Sequence, residues 1–369
     1  MDVPFWVWAL TVGLILGMLI FDLVGHVRTP HAPTLRESAI WSGVYVGIAV
    51  VFGLLVFWFY GAQFGGEYFA GYITEKSLSI DNLFVFVLIM ASFGVPRELQ
   101  QKVLLYGITF ALVLRTVFIL VGAAAIENFS WVFYLFGAIL IWTAWAQARS
   151  GGHDDHEDYK ENLLLRAAKR AFPTTDEYHS DKLSVRIDGK RFITPLAIAL
   201  IAIGSADILF AVDSIPAIFG LTQETYLVFA ANAFSLLGLR QLFFLIDGLL
   251  DRLVYLSYGL AVILGFIGVK LVIHALHTNE LPFVNGGEHI TAIPEIPTWL
   301  SLAVILLTLV VTTVASLAKN RRDRAERAAL AVSAPRPVQQ ATGPAAADDV
   351  EGRSTDAADG RPADVLDHR

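Results

Sequence analysis

Apolar runs of about twenty residues recur along most of this chain, and no other feature limits its fold as strongly. That is the length an α-helix needs to cross a hydrocarbon core of about 30 Å. Inside such a core every backbone N–H and C=O must be bonded within the protein, which leaves only helices and closed barrels as spanning structures. A spanning barrel would show segments of about ten residues with alternating polarity, and the chain has none. The expected fold class is therefore all-α, a polytopic transmembrane helix bundle. Nine spans are expected, near 4–23, 39–60, 68–93, 103–125, 130–147, 193–219, 226–246, 253–277 and 298–318. Only 17% of the residues are charged and the mean hydropathy is +0.58. A soluble domain carries about a quarter charged residues. The start, Met1-Asp2-Val3-Pro4, has no basic region of the kind that opens a cleaved signal peptide, so the first run is expected to remain as a helix.

The basic residues orient the bundle, because cytoplasmic loops carry the Lys and Arg excess. Of 27 such residues, four (Lys76, Arg115, Arg240 and Lys270) fall inside expected spans. The rest lie on one side: near Arg28 and Arg36, near Arg97 and Lys102, in 148–192, at Arg252, and from Lys319 onward. The opposite loops, near 61–67, 126–129, 220–225 and 278–297, contain none. The expectation is a multi-pass protein of the cell (plasma) membrane with its N-terminus outside and its C-terminus in the cytoplasm.

Four regions follow. Residues 1–147 form the first membrane half, with an acidic motif at 75–82, and 193–320 form the second, with an acidic motif at 207–216. Between them, 148–192 is a charged cytoplasmic loop whose 157–172 portion has the pattern of a surface helix. Residues 321–369, poor in large apolar side chains, are expected to be a disordered cytoplasmic tail. The chain has no cysteine, which excludes disulfides, iron–sulfur clusters and thiolate metal cages.

Charge inside a bilayer costs at least ~2.5–3.5 kcal/mol per residue, so an intramembrane acid points to function. The third span reads Glu75-Lys-Ser-Leu-Ser-Ile-Asp81-Asn82, and the sixth reads Asp207-Ile-Leu-Phe-Ala-Val-Asp213-Ser214-Ile-Pro216. Each has two acids six residues apart, with an amide or hydroxyl directly after the second. Six residues are about 9 Å of helix rise with an angular offset near 120°, too far for one ion without distortion. Two helices crossing there would pool acids. The third span runs inward and the sixth outward, the arrangement of inverted-repeat transporters whose ion sites lie near the midplane. Pro216 has no N–H for the carbonyl of Val212, which frees an oxygen beside Asp213. Oxygen ligands of this kind suit hard divalent cations, Mn²⁺, Ca²⁺ or Mg²⁺. Carboxylates also serve proton relays, so a proton or a monovalent ion fits them too.

At these residues the chain resembles the TerC family of integral membrane proteins, known for tellurium resistance. Glu75 to Phe86 and Asp207 to Ile218 are similar to its two signature motifs, and Phe21-Asp22-Leu23 resembles a third feature. The likeness covers about 1–320. It implies metal-ion efflux, chiefly of manganese, with Glu75, Asp81, Asp207 and Asp213 coordinating the ion and Asn82 and Ser214 supporting them. No permanently bound cofactor and no catalysed reaction are implied. The partners implied are the bilayer, the divalent ion, and a homo-oligomer or other membrane proteins, with no nucleic acid.

Lys76 reads either as a fixed partner of Glu75 or as a charge that an arriving cation displaces. Arg115, Arg240 and Lys270 read as structural counter-charges, and Asp22 as a helix-end marker. The run His153 to Asp158 reads as a solvated surface loop; His274, His277, Glu280, Glu288, His289 and Glu295 form an irregular set at an outer exit. There is no Walker sequence. An intramembrane aspartyl protease would also need two membrane aspartates, but Gly204-Ser205-Ala206-Asp207 lacks the Gly-x-Gly-Asp spacing. The remaining alternative is a membrane scaffold in metal or tellurite resistance that supplies metal to exported proteins.

Overall fold

The computed structural model describes residues 1–27, 34–149, 174–175, 182–187, 190–246, 255–282, 284–290 and 293–333. Ten α-helices run through them: α1 (Phe5–Val27), α2 (Leu35–Tyr60), α3 (Ala62–Ser92), α4 (Arg97–Asn128), α5 (Val132–Arg149), α6 (Pro195–Phe219), α7 (Thr225–Leu237), α8 (Leu239–Ile246), α9 (Leu256–His277) and α10 (Thr298–Ser333). Strands β1 (Ser184–Ile187) and β2 (Lys190–Ile193) form an antiparallel hairpin between α5 and α6. The fold is an all-α polytopic membrane bundle.

Local chemistry sets the helix limits. Thr34 caps α2 by accepting from the Glu37 N–H, which satisfies one of the free donors of the first turn. Gly61, at φ 101°, ends α2 and lets α3 begin at the next residue, folding the two into a tight antiparallel pair. Thr194, fully buried, caps α6 ahead of Pro195 and also donates to the Lys182 carbonyl, fastening the hairpin to the bundle.

By length and composition six helices could cross a membrane: α1, α2, α4, α6, α9 and α10. The α7–α8 pair, bent by 41° at Gly238, would be a seventh as one broken span. The expected count of nine is not reached on these grounds. The expected 226–246 span is broken, and α3 and α5 fall outside the apolar set. For α3 the charged residues Glu67, Glu75, Lys76 and Asp81 supply the reason.

The core lies in two main clusters. The larger joins α2, α3, α4, α6 and α7 through residues such as Tyr68, Leu83, Phe86, Ile108, Ile203 and Phe234. The second joins α5, α9 and α10 through Phe133, Leu140, Leu264 and Ile305. The outer faces of α1, α2, α5 and α10 carry exposed Trp6, Leu10, Trp58, Phe59, Trp142, Trp145, Trp299 and Val311, as a lipid-facing surface should.

Helix α10 continues to Ser333, so residues 321–333 of the expected disordered tail are helical; the run Arg-Asp-Arg-Ala-Glu-Arg-Ala-Ala is built of good helix formers. The compact unit of the bundle ends at Asp323, and a second unit begins at Arg324. The rest of that tail, the 157–172 surface helix and the His153–Asp158 run lie outside the described residues.

The α5–α9 contact depends on paired glycines. A Cβ on Gly137 would lie 3.0 Å from the Gly268 carbonyl oxygen, and one on Gly268 would lie 3.1 Å from that of Gly137. Small residues of this kind let helix backbones approach closely in a membrane. Replacing Gly268 by Val should destabilise the bundle by about 1–3 kcal/mol, read as a lower thermal midpoint of the purified protein in detergent. Gly47→Ala, where a Cβ meets nothing within 4 Å, should leave that midpoint in place.

Candidate cation site

The start of α3 and the end of α6 line one cavity, so these packed helices run antiparallel. The same end of the bundle carries Met1, whose amine pairs with Glu224. Along α3, the step from Glu75 to Asp81 leads away from the Met1 end; along α6, the step from Asp207 to Asp213 leads towards it. Each step is about 9 Å of rise. Glu75 and Asp207 thus share the middle of the bundle, with Asp81 and Asp213 on opposite sides of them.

Arg115 of α4 holds the two central acids. Its Nη2 donates to Asp207 Oδ1 at 2.9 Å, its Nε donates to Asp207 Oδ2 at 3.4 Å, and its Nη1 donates to Glu75 Oε1. All three residues are at most 2% exposed. The guanidinium fork suits this role because its donors are planar and fixed. Two carboxylates against one guanidinium leave a formal excess of one negative charge, and Glu75 Oε2 has no hydrogen-bond partner.

The second acids have other surroundings. Asp81 accepts from Gln147 Nε2 at 3.0 Å and from Ser257 Oγ at 3.5 Å, between the end of α5 and the start of α9. Asp213 is half-buried within the electrostatic reach of Arg115. Asn82 is buried, and so is Ser214, whose hydroxyl has no partner. Pro216 lies inside α6, so the Val212 carbonyl lacks that donor. Among the described residues, no three His, Asp or Glu side chains are grouped to hold a metal ion. The four acids are an ordered series rather than one preformed cage.

The counter-charges divide. Lys76 forms no ion pair with Glu75 among the described residues; its Nζ donates to the Ser235 carbonyl at 3.0 Å. That carbonyl belongs to the last turn of α7, just before the break at Gly238, where a cation is favoured by the helix dipole. Arg240 pairs with Asp22 at 3.0 Å, both buried, so Asp22 is part of a bridge between α1 and α8.

At the Met1 end a cavity of about 980 Å³ is lined by Gln63, Glu67, Thr222, Lys270, His274 and Glu295 among others. Glu67, 7% exposed, accepts from Thr222 Oγ1 at 2.6 Å and from Gln63 Nε2 at 3.1 Å. Glu67 falls in the expected 61–67 loop, yet it is an acid two helical turns before Glu75 on the same helix. Of the irregular exit set, His274 and His277 meet Glu295 at 3.1 and 3.2 Å. Partial burial pushes the Glu295 carboxyl up, but the two imidazoles outweigh it and hold the carboxyl below its ordinary range. Glu280 instead accepts from Ser130 at 3.1 Å.

A family model for integral membrane proteins of the TerC family matches residues 60–324, which include both motif helices and Arg115. The chain belongs to the TerC family. It is 56% identical over 333 residues to an uncharacterized membrane protein of Mycobacterium tuberculosis, covering 88% of this chain and 84% of the relative. A Myxococcus xanthus membrane protein is 37% identical over 314 residues, covering 85% and 92%. Alx of Escherichia coli, provisionally named a membrane-bound redox modulator, is 40% identical over 266 residues, covering 69% and 82%. No solved structure matches the chain significantly.

Removing one partner of a buried charge network leaves the others uncompensated, at a cost of about 3–5 kcal/mol. Arg115→Gln should therefore lower the thermal midpoint of this TerC-family protein strongly. Arg115→Leu combined with Glu75→Gln and Asp207→Asn should recover most of the loss, because no charge is then left unpaired. The measurement is fluorescence-detected size exclusion after heating.

Proposed function

We propose that the chain is a divalent-cation exporter of the plasma membrane, with manganese as its principal cargo and protons moving in exchange. One observation carries this reading. Two antiparallel copies of one acidic motif meet on Arg115 at mid-bundle, with an unpartnered carboxylate oxygen there and one further acid on each side. That series, Asp81, then Glu75 with Asp207, then Asp213, supplies successive oxygen sites along α3 and α6. The site residues are Glu75, Asp81, Asp207 and Asp213, assisted by Asn82 and Ser214. Oxygen donors favour hard cations, and among these the TerC resemblance supports manganese.

Arg115 holds the central acids together and apart from lipid while no cation is present. A divalent ion arriving at Asp81 is drawn towards the excess negative charge at Glu75 and Asp207. It leaves by Asp213 into the cavity at the Met1 end, past Glu67. Metal binds the deprotonated carboxylate, so each binding step releases protons and each departure lets them return. This couples cation export to proton entry. The one-sided Lys and Arg distribution supports an N-terminus outside and a C-terminus in the cytoplasm.

A thiol-based redox role would need a cysteine, and the chain has none. We read any redox effect as a consequence of the metal moved, and we assign no catalysed reaction and no resident cofactor.

Cells expressing the wild type should retain less manganese after a Mn²⁺ challenge than cells without it. Asp81→Asn and Asp213→Asn should raise retention to the level of cells lacking the protein, at equal protein abundance. Equal manganese in all of these cells would refute export. Single cysteines introduced at Asn128 and Lys319 test the orientation: an impermeant thiol reagent should label only the first in intact cells.

A further inference from the structure

Helix α7 is enclosed within the bundle. Every residue from Tyr226 to Leu237 is buried, and α7 packs along α3, where a Cβ on Gly71 would lie 3.4 Å from that of Ala231. A helix enclosed in this way is expected to be apolar throughout. It nevertheless carries Asn232 and Ser235, 1% and 0% exposed, on one face three residues apart. Neither the oxygen nor the nitrogen of the Asn232 amide has a hydrogen-bond partner, and the Ser235 hydroxyl has none.

The facing side of α3 shows the same shortage. Glu75 and Ser79, four residues apart on one face, leave Glu75 Oε2 and the Ser79 hydroxyl without partners. The Lys76 bond to the Ser235 carbonyl fixes the register of the two helices, and the Asn232 amide sits at the edge of hydrogen-bonding range of the Glu75 carboxylate, interacting with it without the geometry of a full bond. Glu75 Oε2, both amide atoms of Asn232 and the Ser235 hydroxyl therefore lack a full hydrogen bond where the two helices meet, as does the Ser79 hydroxyl one turn further along α3. Native proteins leave few such atoms, and a concentration of them marks a place where a ligand completes the bonding.

We propose that α7 completes the cation site, with Asn232 and Ser235 supplying neutral oxygen ligands to a divalent cation that Glu75 binds through Oε2. This deepens the export reading above and rests on it. The carboxylate supplies charge, while the amide and the hydroxyls of Ser235 and Ser79 replace lost hydration without adding charge that Arg115 would have to balance. These are hard donors, so they favour the class of cation that the acids favour. Because α7 is the first half of a broken span, movement at Gly238 would take two of the ligands with it, linking site occupancy to the shape of that span.

The test uses full-length protein in detergent with Mn²⁺ as the probe, bound ion being read by electron paramagnetic resonance and fold by thermal midpoint. Asn232→Leu should weaken Mn²⁺ binding by about tenfold or more, with the midpoint unchanged or raised, because a buried unpaired amide is removed. Ser235→Ala should weaken binding in the same direction, and Asn232→Asp, which keeps an oxygen donor, should retain it. A lower midpoint with unchanged Mn²⁺ affinity in Asn232→Leu would give the amide a purely structural role and overturn the proposal. Wild type that binds Mn²⁺ while both α7 variants match it overturns this inference alone. Wild type that binds no Mn²⁺ overturns the export reading as well.

Discussion

Three ionisable groups buried at the centre of the bundle have to find their partners within the protein, because each is at most 2% exposed. Arg115 partners Glu75 and Asp207 at once, and in doing so ties α4 to both motif helices. The antiparallel packing of α3 and α6, the depth of the first acids and the placing of the second acids on either side all depend on that junction. A lysine could not replace it, since one ammonium lacks the planar fork that serves two carboxylates. The junction contributes position more than stability, because a buried ion network roughly offsets its own desolvation.

Other charges are placed by the same requirement. Asp22 and Arg240 are paired at one end of the bundle, and Lys76 caps a helix end at the break in the α7–α8 span. Each cation is thereby matched to an anion or a carbonyl, while the motif acids retain an excess of negative charge. A path for cations needs such an excess along its length, bounded by fixed counter-charges that keep the protein folded when the path is empty.

The Met1 end adds a wide cavity, mostly apolar but carrying Glu67, Lys270, His274 and Glu295, to which both motif helices lead. Glu67, held by Thr222 and Gln63, continues the series of acids along α3 into it. Nearby, two imidazoles of α9 hold Glu295 and so anchor the segment that leads into α10. The cavity is built by helix ends from both halves of the chain.

The sequence by itself determined the fold class, the approximate places of the helices and the two motifs, because a hydrocarbon core leaves a strong mark on composition and makes every charge within it conspicuous. It also implied the opposite directions of the motif helices, since span order sets direction. Span number was less legible: polar residues in α3 and a glycine break in α7–α8 blur a signal that depends on uninterrupted apolar length. Which charges meet was decided by tertiary structure alone. Arg115 is separated by 40 residues from Glu75 and by 92 from Asp207, and the spacing of residues along a chain carries no record of which helices pack together. Lys76, next in sequence to Glu75, forms no pair with it and donates to the Ser235 carbonyl, because successive residues on a helix point about 100° apart. Asn232 and Ser235 look like minor polar residues in an apolar stretch until packing encloses α7 on every side and sets them opposite Glu75.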